Sequence, residues 1–582
     1  MTLRIANCSG FYGDRLSAAR EMVEGGPIDV LTGDWLAELT MMILAGNRLK
    51  GRPGYARTFL TQMEQVLGTC LDRGIKVVSN AGGLDPRACA EAVSELAGRL
   101  GLRASVAHVT GDDLMPLGGP VVDADTGETL AAAPITANAY LGGRPIAVAL
   151  EHGADVVVTG RVTDAALVTG PGMWWYGWQP GDLDALAGSV VAGHIIECGC
   201  QATGGNYAFF GEVPDLAHCG FPIAELRADG SSVITKHPGT GGLVSVGTVT
   251  AQLLYEIGSP RYLGPDATAR FDTIRLEQEG PDRVLVSGVR GEAPPATLKV
   301  AVNHLGGYRN TMTLVLTGLG IEDKARVAQE AVWARVPRES FDEVHVELTP
   351  MFPPAGGAGT ALLRITVMDA DKGKAGRAFS SAVVETGLAG YPGFYGLTPP
   401  GDASPYGVYT PSSVAADAVR AVVTVDGTRI EVPHVAVPGD QAPQNEHERQ
   451  DEPGQPGRDG GDEPSGGQVR PLGTVAGARS GDKGGNANLG VWVRTAEQYA
   501  WLSSFLTVDR LRELLPETGD LPIERFALPN LLALNFVVRG LLGRGVAASP
   551  LLDAQAKALG ERLRAVAVPI PPFIDAPKCD IS

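Results

Sequence analysis

The chain has 582 residues, 44% of them hydrophobic and 20% charged, the composition of a soluble globular protein with large cores. At roughly 150 residues per domain it holds about four units, or fewer if one large α/β unit absorbs much of the length. Its 48 Lys and Arg against 66 Asp and Glu give a formal charge of −18, the wrong sign for a main partner that is nucleic acid or an anionic membrane. No apolar run reaches the length of a membrane span, and the opening MTLRIANCSGFYGD carries acid and turn residues where a signal peptide needs its apolar stretch. A cytoplasmic location is expected. The cysteines are odd in number and scattered, unlike a secreted disulfide framework, so reduced thiols are expected.

Residues 3 to 8 read as a buried strand, 14 to 24 as a helix, 28 to 34 as a second strand, and a helix begins near Trp35. A helical stretch over 55 to 72 precedes the strand IKVVSNAGG. Pro86 opens a helix ending near Gly101, and RASVAHV follows as a strand; a helix near 144 to 152 then leads into ADVVVTG. Apolar strands alternating with helices predict a mostly parallel, doubly wound sheet over residues 1–230. Over 231–437 the runs DRVLVSGV, ATLKVAVN, TMTLVLTG, EVHVELTP and ALLRITVMD, with one helix at 322 to 335, predict an α+β, largely antiparallel region. Residues 438–468 are dominated by Pro, Gly, Gln, Asp and Glu and are expected to form a disordered linker. Residues 469–582 read as a small α/β sandwich, with strands at 489 to 494 and 524 to 528 and helices at 496 to 515 and 550 to 565.

In parallel sheets ligands bind beyond the carboxyl ends of the strands, where helix amino termini and free backbone N–H groups converge. Five strand ends here carry small or reactive residues: Asn7 to Gly10, Thr32 to Asp34, Ser79 to Gly83, His108 to Asp113, and Thr159 to Arg161 with Asp164. Such residues also form ordinary βα turns, but five junctions bearing Asp34, Asp113, Asp164 and Arg161 favour a functional crevice. There, Asp34, Asp113 and Asp164 are candidate acid/base groups, and Asn80, Arg161 and the Gly82–Gly83 backbone are candidate anion contacts. Neither GxGxxG nor GxxxxGK[ST] nor GxSxG occurs, so no dinucleotide, triphosphate or serine-hydrolase site is supported by motif.

The segment AGHIIECGCQATGGN puts His194 and Cys198 on one helical face, with Glu197 adjacent and Cys200 just beyond. It could serve acid/base or thiolate chemistry, offer soft metal ligands, or simply hold buried cysteines beside a structural histidine. C-x-C lacks a second matching pair, and no metal site is assigned. Lys236 with Gly241 and Gly242, in KHPGTGGLV ahead of a helix, could cradle an anion. ARSGDKGGNANLGV packs Ser480, Asp482, Lys483, Asn486 and Asn488 into what reads as a loop ahead of a strand, serving ligand or interdomain contact or only the turn itself. The aromatic run MWWYGW, 173 to 178, can line a pocket or cover a core.

GDWLAELTM, SNAGGLDP, TANAYLGGRPI, GADVVVTGRVTDAAL, AGHIIECGCQATGGN and GTGGLVSVGTVTAQLLYEIGSP together resemble the acyclic terpene utilisation AtuA family. ARSGDKGGNANLGV resembles that family's second domain, whose ferredoxin-like fold is a topology and implies no iron–sulfur cluster. The resemblance spans nearly all the chain outside the linker. It implies a place in the breakdown of citronellol- and geraniol-type terpenes and branched-chain acids through coenzyme A thioesters, alongside a biotin-dependent carboxylase and a hydratase. It assigns no catalytic residues. The expectation is therefore an enzyme using acid/base chemistry of the hydratase or lyase type on an acyl-CoA or carboxylic acid. Asp34, Asp113, Asp164, His194, Glu197 and Cys198 are its candidate catalytic groups. It would need no cofactor beyond coenzyme A within the substrate, and would form a homo-oligomer. The alternative is a non-catalytic scaffold for an acyl-CoA carboxylase or another pathway enzyme.

Overall fold

Five short apolar runs form the centre of the molecule. In the computed structural model, which describes residues 1–351, 359–435 and 467–574, the strands Leu3–Asn7, Val30–Gly33, Lys76–Ser79, Val156–Thr159 and Val106–Thr110 lie parallel, in that spatial order. They are apolar on both faces because both are covered. Val77, Val156 and Val158 pack with Phe59, Met63 and Val93 of the helices Arg57–Arg73 and Pro86–Arg99. Val78 and Val157 point the other way, toward Ile146, Leu186 and Ile195 of the helices Arg144–Glu151 and Leu183–Ile196.

Antiparallel strands extend both edges. Pro222–Leu226 pairs with Leu3–Asn7, and Ser232–Lys236, Arg283–Ser287 and Arg275–Gly280 follow outward; on the far side Ala421–Val425 pairs with Val106–Thr110 and Thr428–Val432 lies outermost. One mixed sheet of eleven strands therefore draws on the chain from both sides of residue 230.

The second sheet is antiparallel and built on one 21-residue strand, Thr297–Thr317. The runs at 296 to 303 and 311 to 318 are two halves of this strand, continuous through a bulge at Leu305–Gly307. It pairs with Pro134–Ala139, Thr360–Asp369, Tyr395–Gly396 and Ser404–Ala415.

In the carboxy-terminal domain, Gly477–Lys483, Asn486–Trp492, Ala533–Val538 and Ile523–Leu528 form an antiparallel sheet in that order. Its core includes Leu489, Leu534, Phe536 and Leu563. The helix expected over 496 to 515 is two, Ala496–Phe505 and Val508–Leu514, because the Thr507 side chain accepts from Arg510 N at 3.1 Å and caps a new start. The one expected over 550 to 565 is helical only at Leu559–Ala565: Asp553 accepts from the N–H groups of Lys557 and Ala558, both at 2.9 Å, and turns the preceding segment. The linker expected at 438–468 falls outside the described residues up to 466, whereas Gln468 opens the strand Gln468–Pro471, paired with Ala567–Ile570.

Candidate functional site

Three of the parallel strands deliver polar side chains to one buried cluster. Asp34 follows Val30–Gly33, Asn80 follows Lys76–Ser79 and Arg161 follows Val156–Thr159; all three are buried. Asp34 Oδ1 accepts from Leu36 N at 2.9 Å and from Asn80 Nδ2, and Asn80 Oδ1 accepts from Trp35 N at 2.8 Å. Arg161 donates from Nη1 to Leu36 O at 2.6 Å, lies 3.1 Å through Nη2 from Asp164 Oδ1, and stacks 4.3 Å from the centre of the Tyr140 ring. Burial opposes the guanidinium charge, but Asp164, Tyr140 and Asp34 more than offset it and hold Arg161 firmly protonated. Burial and the nearby Asp164 push the Asp34 carboxyl well above the usual range, with Arg161 pulling the other way.

Asp113 does not join this cluster. It is exposed, and its Oδ1 accepts from Met115 N at 3.0 Å. The buried member of the pair is Asp112, whose Oδ2 accepts from Arg161 N at 2.8 Å and Asn138 Nδ2 at 2.9 Å, fixing the backbone that presents Arg161. Burial lifts Asp112 to about 6.

The helix Leu183–Ile196 brings the next groups at its carboxyl end. His194 and Glu197 are buried, with His194 Nδ1 3.3 Å from Glu197 Oε1 in poor alignment for a hydrogen bond. Both ring nitrogens of His194, Glu197 Oε2 and Arg161 Nε lack a well-aligned hydrogen-bond partner, a rare concentration of unsatisfied buried polar atoms. Burial raises Glu197 well above the usual carboxyl range, and Asp164 and Glu256 raise it further. His194, packed against the stacked rings of Tyr262 and Phe271 at 5.2 and 5.5 Å, is lowered to about 4, chiefly by burial. Cys198 is a protonated thiol, raised by burial and then by Glu197 and Glu256.

A histidine whose folded pKa is depressed loses stability as pH falls from its unfolded value through its folded one, because the unfolded chain takes up the proton first. From 6.5 down to about 4, His194→Gln is expected to remove about 3 kcal/mol of acid-induced destabilisation relative to the parent chain. Urea midpoints across that interval check this, and parallel curves for the two chains would contradict it.

The carboxy-terminal domain approaches the same place. ARSGDKGGNANLGV is a β-hairpin, Gly477–Lys483 with Asn486–Trp492, rather than a loop before a strand. Arg479, buried, lies 4.4 Å above the Tyr255 ring, and its Nη2 has no hydrogen-bond partner. The charge of Arg479 acts on Cys198 and that of Lys483 acts on His194. Asn488 Oδ1 accepts from Glu256 N at 2.8 Å, and Asn535 Nδ2 donates to Gly258 O at 2.7 Å, locking the hairpin to the chain after the helix Val246–Leu253. The contact is sized for glycine: a Cβ at Gly490 would lie 2.4 Å from Leu254 Cβ, and one at Gly481 2.4 Å from Tyr255 Cε2. Gly490→Ala is expected to lose about 1–3 kcal/mol through this overpacking, read as a drop in thermal midpoint; an unchanged midpoint would mean the hairpin is not held there.

Other expected contacts are occupied by the protein itself. A Cβ at Gly82 would meet Thr159 O at 2.4 Å, one at Gly83 would meet Leu44 Cδ1 at 2.3 Å, and one at Gly241 would meet Asp215 O at 2.1 Å. Gly242 backs onto Thr203 O and Cys219 Sγ. Lys236 Nζ ties its own loop to Thr240 O at 2.8 Å and pairs with Asp282 at 3.0 Å. Ser480 Oγ accepts from Gly560 N at 2.9 Å, and Asn486 joins Gly540 N and Asp125 at 2.9 and 3.1 Å. Asp482 sits half-buried in the hairpin. The sequence reading passed over Asp112, Tyr140, Glu256 and Arg479. Asp112 and Arg479 lay inside segments already singled out, and only tertiary contacts distinguish them from their neighbours. Among the described residues no group of three or more His, Cys, Asp or Glu is arranged to hold a metal ion, and no helix is long and apolar enough to cross a membrane.

The fold and this cluster define a mixed α/β protein whose buried polar cluster is met by a ferredoxin-like domain. The chain belongs to the acyclic terpene utilisation AtuA family: the family model, described as acyclic terpene utilisation family protein AtuA, matches residues 3–425, and the AtuA ferredoxin-like domain matches residues 470–569. No curated protein and no solved structure matches the chain.

Proposed function

We propose that this protein is an enzyme of acyclic terpene or branched-chain acid breakdown that moves protons on a carboxylic acid or its coenzyme A thioester, in a hydratase or lyase type of reaction. One observation carries the reading: a buried acid that favours its protonated form, Glu197, lies 3.3 Å from a buried imidazole that favours its neutral form, His194. At neutral pH such a pair offers a proton donor beside a proton acceptor, the pairing that addition and elimination next to a carbonyl require. Asp34, with its raised carboxyl, is a second potential donor, and Arg161 holds the set together. Arg479 and Lys483 are the groups to hold a carboxylate or thioester oxygen.

A mainly apolar cavity of about 100 Å³ is lined by Leu141, Met173, Trp178, Leu186, Leu298 and Val432 among others, and none of the charged cluster's side chains is in its wall. It is a candidate seat for a branched hydrocarbon chain. The test is a panel of coenzyme A thioesters and free acids, scored by thermal shift and by turnover. A shift with turnover that depends on Glu197 supports the reading. Absence of both, with co-purification of a carboxylase, would leave the scaffold alternative in its place.

A further inference from the structure

Two cysteines outside the acid/base cluster face one another. Cys200 lies in the turn Gly199–Thr203, and Cys219 follows the turn Leu216–His218, just ahead of the strand Pro222–Leu226. Their contacts are reciprocal: Cys200 Sγ is 3.3 Å from Cys219 O and Cys219 Sγ is 3.8 Å from Cys200 O, so the two thiols are neighbours. Thr203 Oγ1 lies 3.1 Å from Cys219 Sγ. Arg15 Nη2, which also pairs with Glu21 at 2.8 Å, donates to Cys219 O at 2.7 Å and is 4.0 Å from Cys200 Sγ, so its charge acts on both thiols. Cys219 is buried, but Cys200 is only partly so.

The other described cysteines have no such setting. Cys8, Cys70 and Cys89 are buried in the apolar layer beneath the sheet, and burial pushes all three thiols up. Cys198 is raised as well. Cys219 alone among the described cysteines is drawn down, to about 6, first by the neighbouring Cys200 thiol, with Thr203 and Arg15 helping against the opposing effect of burial. A thiolate next to a second thiol is the arrangement in which disulfide formation is fastest.

We propose that Cys200 and Cys219 form a redox-active pair that hydrogen peroxide closes reversibly into a disulfide. The Cys219 thiolate attacks one peroxide oxygen; the O–O bond breaks, leaving a sulfenic acid on Cys219, and the other oxygen departs as water after taking a proton. The Cys200 sulfur then attacks Cys219 Sγ, the S–S bond forms, the S–O bond breaks, and the second oxygen leaves as water with the Cys200 proton. Two thiols are oxidised and one peroxide is reduced to two waters. A dithiol reductant reverses the change. The site stands apart from the proposed acid/base chemistry, and its test does not depend on any substrate.

The full chain is treated with hydrogen peroxide, alkylated under denaturing conditions and mapped by peptide mass spectrometry, with fragmentation separating Cys198 from Cys200. The expected result is a Cys200–Cys219 cross-link that disappears with dithiothreitol. Cys219→Ser is expected to slow thiol loss by at least about ten-fold, and Cys200→Ser to stop at a Cys219 sulfenic acid that dimedone traps. Sulfinic acid on Cys219 with Cys200 still alkylatable, or a link from either residue to another cysteine, would overturn the proposal. If the serine variants do not fold, the map of the parent chain decides between these outcomes.

Discussion

Arg161→Met is expected to lower folding stability at neutral pH by about 3–5 kcal/mol, the usual penalty for stranding one side of a buried ion pair. Arg161 is buried, and its charge acts on Asp34, Asp164 and Glu197. Methionine fills much of the volume but leaves Asp164 without its counter-charge and makes Asp34 and Glu197 harder still to ionise. The measurement is a urea midpoint at unchanged slope, and its pH dependence separates charge from packing. Asp34 and Glu197 are already raised in the folded chain, and Arg161 is the group that lowers both. A carboxyl raised on folding contributes stability below its unfolded pKa and loses it as pH climbs through the folded one. Removing Arg161 moves that loss to higher pH and deepens it at neutrality, so the deficit against the parent chain should shrink as pH falls from about 8 to about 5. A deficit constant over that interval would mean that lost packing, not stranded charge, is responsible. Arg161→Lys should rescue only in part, since an ammonium cannot both stack on Tyr140 and reach Leu36 O and Asp164 in one plane.

Glu197→Gln is expected to reduce turnover by about 10²–10⁴-fold, the range for removing a positioned acid or base, while leaving the chain as stable as before or slightly more so at pH 8. Glutamine keeps the shape of the side chain and is neutral, and burial already disfavours the ionised carboxylate at that position. The two readouts together are decisive: a residue that only props up the fold would show the opposite pattern. Asp34→Asn should behave similarly if it is a second donor. Turnover at the parent rate in Glu197→Gln, on whichever thioester or acid the chain acts upon, would end the acid/base assignment.

The parallel core was legible because IKVVS and ADVVVTG are apolar on both faces, which requires covering layers. The convergence of Asp34, Asn80 and Arg161 was legible because residues at the carboxyl ends of adjacent parallel strands share one rim. Asp113 was chosen over Asp112 because nothing local separates two adjacent aspartates. The difference arises from Asn138 and Arg161 N, which belong to other elements. Residues 477 to 488 of the hairpin read as a loop because their glycines and amides, among them Gly481 and Asn488, meet a neighbouring domain, whereas strand propensity reports mainly apolar packing. Gly82, Gly83, Gly241 and Lys236 looked available for a ligand; the atoms that crowd or neutralise them come from partners invisible along the sequence.

The flank of the central sheet beyond Val106–Thr110 is supplied very late. Thr110 Oγ1 donates to Val422 O across 312 positions of chain, within the pairing to Ala421–Val425. While the polypeptide is being made, that margin stays bare until residue 425 has emerged from the ribosome, presenting unpaired backbone to any neighbour for most of elongation. A gene shortened before residue 421 therefore hands the cell an unfinished border prone to clumping, not a smaller working protein.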